Sequence, residues 1–277
     1  MAIMRVDFLS NCLHRTVSIS VIMPSDKRTF RGDVIHPGPY KTLYLLHGIF
    51  GNDTDWLINT NIQQYADAYN LCVVMPCGDN KFYCNSDISG DYYGTYIAQE
   101  LVAFTRRTFN LSKHYEDTYI GGLSMGGYGA ICNGLRNPET FSHIIALSSG
   151  LIKDLVINAD ENLNHSQLNA NHYKTFFNLK NLSDFNNSDN DYDYLALKGI
   201  GQPQPRLFVA CGKQDHLYQV NKDYYCKLKE LNYDVEWFCV DGKHNWAFWD
   251  LAIKEALAWL PLDKPSKGIS SGNIGKE

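Results

Sequence analysis

The stretch 119–130, YIGGLSMGGYGA, carries the residues best suited to chemistry. An apolar run enters it, GLSMG sits at its centre and small residues leave it. A serine on a tight strand-to-helix turn is held in a strained conformation that exposes its hydroxyl, and glycines two positions either side let strand and helix backbones pass closely. Ser124 is therefore the candidate nucleophile, flanked by Gly122 and Gly126. A serine needs a base and an acid to orient it, following in that fold in the order serine, acid, histidine on loops after strands. RLFVACGKQDHLY reads as a strand, 206–211, opening into a loop with Asp215, and DVEWFCVDGKHNWAFW as a strand, 234–240, then a turn presenting His244. The set suits acyl transfer: His244 takes the serine proton and later returns one to the leaving group, while Asp215 holds the imidazole tautomer.

Asp241 is the nearest rival acid. It stands three residues before His244 as a turn residue of DGKH, whereas Asp215 leaves a strand in the expected place. His216, beside that acid, is expected to point away. His14, His36, His114, His143, His165 and His172 are scattered singly without metal-ligand spacing, so no metal and no cofactor is expected. Acyl transfer also needs two backbone donors for the oxyanion. The amide of Met125, after the nucleophile, is one. The other is assigned to Ile49 in KTLYLLHGIFGNDTDW, where an apolar strand runs into a glycine-rich turn; His47 there reads as a brace for the loop.

These loops need elements to hold them. MRVDFLS and RTVSISVIMP read as an N-terminal antiparallel hairpin, LYLL and LCVVMP as buried strands, and 58–69 and 92–109 as helices. A strand over 117–123, a helix over 125–137 ending at Asn-Pro, and FSHIIALSSG as a further strand complete the centre. Alternating strands and helices imply an α/β fold with a mostly parallel central sheet, helices on both faces, and sites at the carboxyl ends of the strands. The segment 151–204 is rich in Asn, Asp, Tyr and His without strand signal, and reads as a cap inserted into a single domain, 1–262. Its aromatics Tyr173, Phe176, Phe177, Phe185, Tyr192 and Tyr194 could wall an acyl or aryl pocket, but for each one packing of the insertion onto the body is the better reading. Trp56, Tyr83 and Trp246, with Cys84 and Asn85, are further candidates for touching substrate. The polar, Gly/Ser-rich 263–277 reads as a disordered tail.

Taken together, LYLLHGIFGNDTDW, GLSMGGYGA, CGKQDHLY and DGKHNWAFWD resemble the esterase D family of α/β-hydrolases, a group that includes S-formylglutathione hydrolases, tributyrin and acetyl esterases, feruloyl esterases and mycolyltransferases. The similarity is closest to the small bacterial tributyrin and acetyl esterases and runs to about Leu262. It implies an α/β-hydrolase fold and a serine carboxylesterase acting on short acyl esters (acetyl, butyryl, acetylated sugars or feruloyl esters) through an acyl-enzyme. Ser124, Asp215 and His244 match the triad positions, and Ile49 and Met125 the oxyanion hole. S-formylglutathione hydrolysis, or acyl transfer to an alcohol, would use the same residues. A non-catalytic binding module would require none of them. The resemblance also suggests a homo-oligomer, which no heptad or isolated apolar stripe supports independently.

Composition excludes other classes. The 277 residues carry a formal charge of −5 with both signs mixed and no basic block, so no nucleic-acid partner is expected. No apolar run is long enough for a membrane span. The start lacks the charged leader and continuous apolar core of a signal peptide, so a cytoplasmic location and a small-molecule ester partner are expected. The eight cysteines have no paired spacing; Cys72, Cys132, Cys211 and Cys239 read as small buried hydrophobes.

Overall fold

The computed structural model describes residues 1–160, 168–266 and 268–269. Its centre is an eight-stranded sheet of β1 (Ala2–Ser10), β2 (Arg15–Met23), β3 (Thr42–Leu46), β4 (Cys72–Pro76), β5 (Thr118–Leu123), β6 (His143–Leu147), β7 (Arg206–Ala210) and β8 (Val235–Phe238). The spatial order is β1-β2-β4-β3-β5-β6-β7-β8. The β1–β2 hairpin and the β2–β4 pair are antiparallel, and every pair from β4 to β8 is parallel. β3 lies between β4 and β5, so the direction of winding reverses there. A crevice opens between the carboxyl ends of β3 and β5, where α/β sheets place their ligands.

The central strands are short and apolar because both faces are covered. β3, TLYLL, is buried throughout. Leu43 and Leu45 face one core with Ile62 and Ala66 of α2 (Ile62–Ala68) and with Phe248, Ile253 and Leu257 of α9 (Trp246–Trp259). Tyr44 and Leu46 face the other, with Leu101 and Val102 of α3 (Leu101–Thr108), Tyr128 and Ile131 of α4 (Met125–Arg136), and Tyr224 and Leu228 of α8 (Tyr218–Glu230). Each fully buried side chain of this size contributes about 1.5–3 kcal/mol.

Two expected helices differ in detail. The helix expected over 58–69 is broken into α1 (Asp55–Asn59) and α2, because Asn61 turns its amide to Asp250 Oδ1 at 2.7 Å. The helix expected over 92–109 contains a widened turn at Tyr96–Glu100 before α3.

The insertion after β6 forms α5 (Lys153–Ile157), α6 (Ala170–Phe176) and α7 (Tyr192–Lys198). It packs on the α4 side of the sheet through a ring cluster in which Phe177 meets Phe82, Tyr128 and Phe185, and Tyr192 meets Tyr128 and Tyr224. Of the aromatics that could wall a pocket or pack the insertion onto the body, Phe176, Phe177 and Tyr192 meet rings of the body, and Tyr173 and Phe185 are buried against Phe177. Tyr194 lies beneath the Lys198 ammonium. His165 lies outside the described residues, as do 267 and 270–277 of the expected tail. The described part of that tail is held rather than loose. Ser266 N donates to Ala68 O at 2.8 Å and Ile269 N to Arg28 O at 3.0 Å, while the buried Lys27 donates to Ser266 O.

Candidate active site

Ser124 is the first residue after β5, with φ 52° and ψ −117°. A non-glycine residue there costs about 1–3 kcal/mol, so the surroundings must hold it. Its N–H donates to Leu147 O, and its carbonyl accepts from Tyr128 N and Gly150 N at 3.0 and 2.8 Å. The flanking glycines are dictated by contact. A Cβ on Gly126 would lie 2.5 Å from Leu46 O and 2.6 Å from His47 O, and one on Gly122 2.5 Å from the Gly126 carbonyl. The sequence thus folds β5 and α4 into an elbow that only small residues permit.

The loops after β7 and β8 bring two groups to this serine. His244 Nε2 lies 3.1 Å from Ser124 Oγ, and His244 Nδ1 lies 2.9 Å from Asp215 Oδ2. Asp215 accepts, so Nδ1 carries the proton and Nε2 offers its lone pair to the serine hydroxyl. Asp215 is 5% exposed, and burial alone would raise its pKa. Hydrogen bonds from His244, the Leu217 amide at 2.9 Å and Ser148 outweigh burial and hold the carboxyl below its ordinary range. Asn245 caps α9 by accepting from Phe248 N, which fixes the turn carrying His244. The imidazole is packed by Trp249 at 4.9 Å on one side and His216 at 4.7 Å on another. His216 therefore does not point away as expected: its Nδ1 lies 3.5 Å from Asp215 Oδ1. Asp241 is exposed and pairs with Lys213, away from His244 Nδ1.

Gly48, at the end of β3, meets the elbow directly. A Cβ there would lie 2.6 Å from Leu123 Cδ1 and 3.5 Å from Ser124 Cβ. The next residue, Ile49, lines the same cleft as Ser124. Across it, Met125 opens α4, and the amide of a first helical residue has no intrahelical acceptor.

His47 holds this turn from beneath. It is buried, its Nε2 accepts from Gly78 N at 2.8 Å, and so its Nδ1–H donates to Gly48 O at 2.6 Å. Burial, only partly offset by the bond to Gly48, lowers its pKa and keeps it neutral. Because a peptide is planar and trans, fixing the Gly48 carbonyl also fixes the opposite direction of the Ile49 N–H.

The cleft, about 250 Å³, is lined by residues that include Phe50, Asp55, Trp246 and Trp249. Of the five residues expected to touch substrate, Trp246 alone lines it. Trp56 is 1% exposed and donates its indole N–H to Leu46 O; Tyr83 is 0% exposed and donates its hydroxyl to His47 O. Both brace the end of β3, which corrects the expectation of substrate contact. Cys84 is buried and Asn85 bonds Thr95. Phe50, Asp55 and Trp249 escaped the sequence reading. Trp249 could have been found, since it follows Trp246 by three on one helix and so shares its face. No described residue of 151–204 lines the cleft.

Comparison with known proteins agrees with this architecture. A family model described as putative esterase matches residues 10–260. An acetyl esterase of Caldicellulosiruptor saccharolyticus is 38% identical over 265 residues, covering 94% of this chain and 98% of that protein. Among solved structures, the fluorophosphonate-binding serine hydrolase F of Staphylococcus aureus, substrate bound, is similar with a TM-score of 0.81 and 30% identity over 94% of this chain and 98% of that one. An S-formylglutathione hydrolase apoenzyme of Staphylococcus aureus gives 0.79 and 31% over the same shares.

Proposed function

From the premise that the chain belongs to the putative esterase family, we propose that Ser124, His244 and Asp215 are its triad, and that the Ile49 and Met125 amides form its oxyanion hole. The chain is a serine carboxylesterase, a carboxylic ester hydrolase. One observation carries the residue assignment: His244 stands between Ser124 Oγ at 3.1 Å and Asp215 Oδ2 at 2.9 Å, with the tautomer set by the acid.

Ser124 Oγ attacks the ester carbonyl as His244 Nε2 takes its proton, and the carbonyl oxygen, now negative, accepts from the Ile49 and Met125 N–H groups. Collapse breaks the bond to the alcohol, which leaves with the proton from His244, and the acyl group stays on Ser124. Water, deprotonated by His244, then attacks the acyl carbon; collapse breaks the bond to Ser124 Oγ, which takes the proton back from His244, and the acid is released. Asp215 stabilises each imidazolium without taking its proton.

The substrates we assign are short acyl esters, acetyl and butyryl above all. A cleft of about 250 Å³ between Trp246, Trp249, Leu123 and Ile49 suits a small acyl group, and the acetyl esterase relative supports the same reading. S-formylglutathione is the second reading, supported by a structural neighbour of that name. Among the described lining residues Asp55 is charged and neither Lys nor Arg occurs, which favours neutral esters over an anionic thioester.

The deciding experiment compares acetyl, butyryl, octanoyl and S-formylglutathione substrates for wild type and Ser124→Ala. Turnover should fall about a millionfold in the variant and be highest on the two short esters. Equal rates in wild type and variant would remove Ser124 from the mechanism, and a preference for S-formylglutathione would replace the substrate reading.

A further inference from the structure

A second histidine stands beside the triad acid. His216 Nδ1 lies 3.5 Å from Asp215 Oδ1, the same oxygen that His244 Nδ1 approaches at 3.1 Å, and the two imidazole centroids are 4.7 Å apart. Ester hydrolysis as derived above uses Asp215 and His244 and leaves His216 without a task. One ligand atom from each of the three side chains lies within 4.8 Å of the other two, and among the described residues no other three His, Cys, Asp or Glu side chains converge in this way.

The spacing suits a tetrahedral ion. Ligand atoms held at about 2.0–2.1 Å from zinc stand about 3.3 Å from one another, and the two edges that meet at Asp215 Oδ1, 3.1 and 3.5 Å, bracket that length. Only the third edge has to close. His216 can close it, because its side chain is 69% exposed while Asp215 is buried; the same exposure gives an ion its way in from solvent. The outer contacts that steady metal ligands are also present. Leu217 N donates to Asp215 Oδ1 at 2.9 Å and leaves that oxygen a second lone pair. His244 Nε2 faces Ser124 Oγ at 3.1 Å, and that hydroxyl can accept from an Nε2–H.

We propose that Asp215, His216 and His244 form an inhibitory site for a divalent transition-metal ion, Zn²⁺ above all, with water in the fourth position; its effect on turnover rests on the triad assigned above. Two imidazoles and a carboxylate are ligands that zinc accepts. The inhibition follows from the tautomer. Neutral imidazole has one proton, and in the free enzyme His244 carries it on Nδ1, toward Asp215. When the Nδ1 lone pair binds the metal, that proton is exchanged through solvent to Nε2, so the ring neither gains nor loses one. Nε2 then has no lone pair for the serine proton, and attack on the ester stops. Removal of the ion returns the proton to Nδ1 and restores the base.

The test titrates Zn²⁺ into the full chain twice, once by calorimetry and once against p-nitrophenyl acetate hydrolysis, with Mg²⁺ as a separate arm. Zinc should bind saturably and halve the rate at or below about 100 μM, and a chelator should restore it. Mg²⁺, which prefers oxygen ligands and keeps its water, should do neither. His216→Phe keeps a ring against His244 and removes the ligand, and His216→Gln is the polar alternative at the same exposed position. Each variant is referred to its own metal-free rate, so a change in basal turnover does not enter. Both should raise the half-inhibiting zinc concentration at least about tenfold, since even an outer partner of a metal ligand is worth that much. Calorimetry reports the ion whether or not the triad assignment holds, so the two readings fail separately. No saturable binding up to about 1 mM zinc, ten times the expected constant, would overturn the site. Inhibition equally strong in both His216 variants would also overturn it and move the metal elsewhere, with the exposed Cys226 thiol as a rival ligand. Binding that depends on His216 but leaves turnover intact would overturn the tautomer argument.

Discussion

His47→Phe tests whether the oxyanion turn is held from beneath. The ring remains, but two hydrogen bonds go: the one accepted from Gly78 N at 2.8 Å and the one donated to Gly48 O at 2.6 Å. Each buried group left unpaired costs about 1–3 kcal/mol, so folding stability should fall by about 2–6 kcal/mol. That is a large part of the 5–15 kcal/mol of a typical domain, yet it leaves most molecules folded in the cold. Turnover is affected separately. Once the Gly48 carbonyl is free, the Gly48–Ile49 peptide can rotate and the Ile49 N–H no longer points at the developing oxyanion. Losing one preorganised donor costs about 3 kcal/mol, roughly a hundredfold to a thousandfold in kcat. Acylation and deacylation both pass through tetrahedral species, so the loss appears whichever step limits. The assay is p-nitrophenyl acetate hydrolysis, normalised by the burst of active sites, alongside urea unfolding. We expect kcat to drop about a hundredfold with KM changed only a few fold. A variant that lost stability but kept kcat within about threefold would show that His47 holds the loop without aiming the Ile49 amide, and the peptide-plane reasoning would fail.

Gly126→Ala should reduce kcat/KM about a hundredfold, because its methyl meets two backbone carbonyls that cannot rotate away and a displacement of about 1 Å at the serine is enough for such a loss; kinetics with thermal melting checks it. Asp215→Asn should keep the fold but lower kcat by about ten thousandfold through the wrong tautomer at His244, measured against unchanged near-ultraviolet circular dichroism. Asp55→Asn should raise the ratio of S-formylglutathione to p-nitrophenyl acetate kcat/KM by about fivefold, equivalent to roughly 1 kcal/mol of relieved repulsion in a partly solvated cleft. Burial, with the nearby Arg206 cation, pushes His143 down to about 4, while the unfolded chain protonates near 6.5. The unfolded state therefore takes up a proton that the native state refuses. Stability should be complete above about pH 7 and decline as pH falls from 6.5 toward 4, and His143→Gln should flatten urea-unfolding midpoints between about pH 7 and 5.

The strands and the elbow were legible because each has a local cause. Apolar runs such as LYLL and LCVVM can only be buried, and the spacing of GLSMGG marks a tight strand-to-helix turn by itself, although the contacts that require Gly126 come from the distant Leu46 and His47 carbonyls. The order of Asp215 and His244 along the chain was legible for the same reason, since each leaves its own short strand. The broken helix at Asn61 was not, because the breaking bond comes from Asp250, far along the chain. Nor was the destination of the insertion. Its aromatics mark an apolar face but not which face of the body receives it, and they pack on Tyr128 and Phe82 rather than over the serine.

The misread aromatics show what separates a pocket wall from a brace. Trp56 and Tyr83 stand in sequence beside loops that meet substrate, and a large ring there fits either role. What decides is where the polar end of the ring goes. A wall ring can leave its N–H or O–H toward solvent or substrate, but a buried ring must find a partner. Trp56 Nε1 finds Leu46 O and Tyr83 Oη finds His47 O, consecutive carbonyls at the end of β3. Those two carbonyls are the ones a Cβ on Gly126 would strike, so the same short piece of backbone is held by two aromatics on one side and abutted by the elbow on the other. With His47 fixing the next peptide, three side chains that touch no substrate set the position of the Ile49 amide relative to Ser124. Trp56→Phe and Tyr83→Phe, each removing one of these bonds, should accordingly reduce kcat more than they raise KM; the opposite pattern would restore them to the pocket wall.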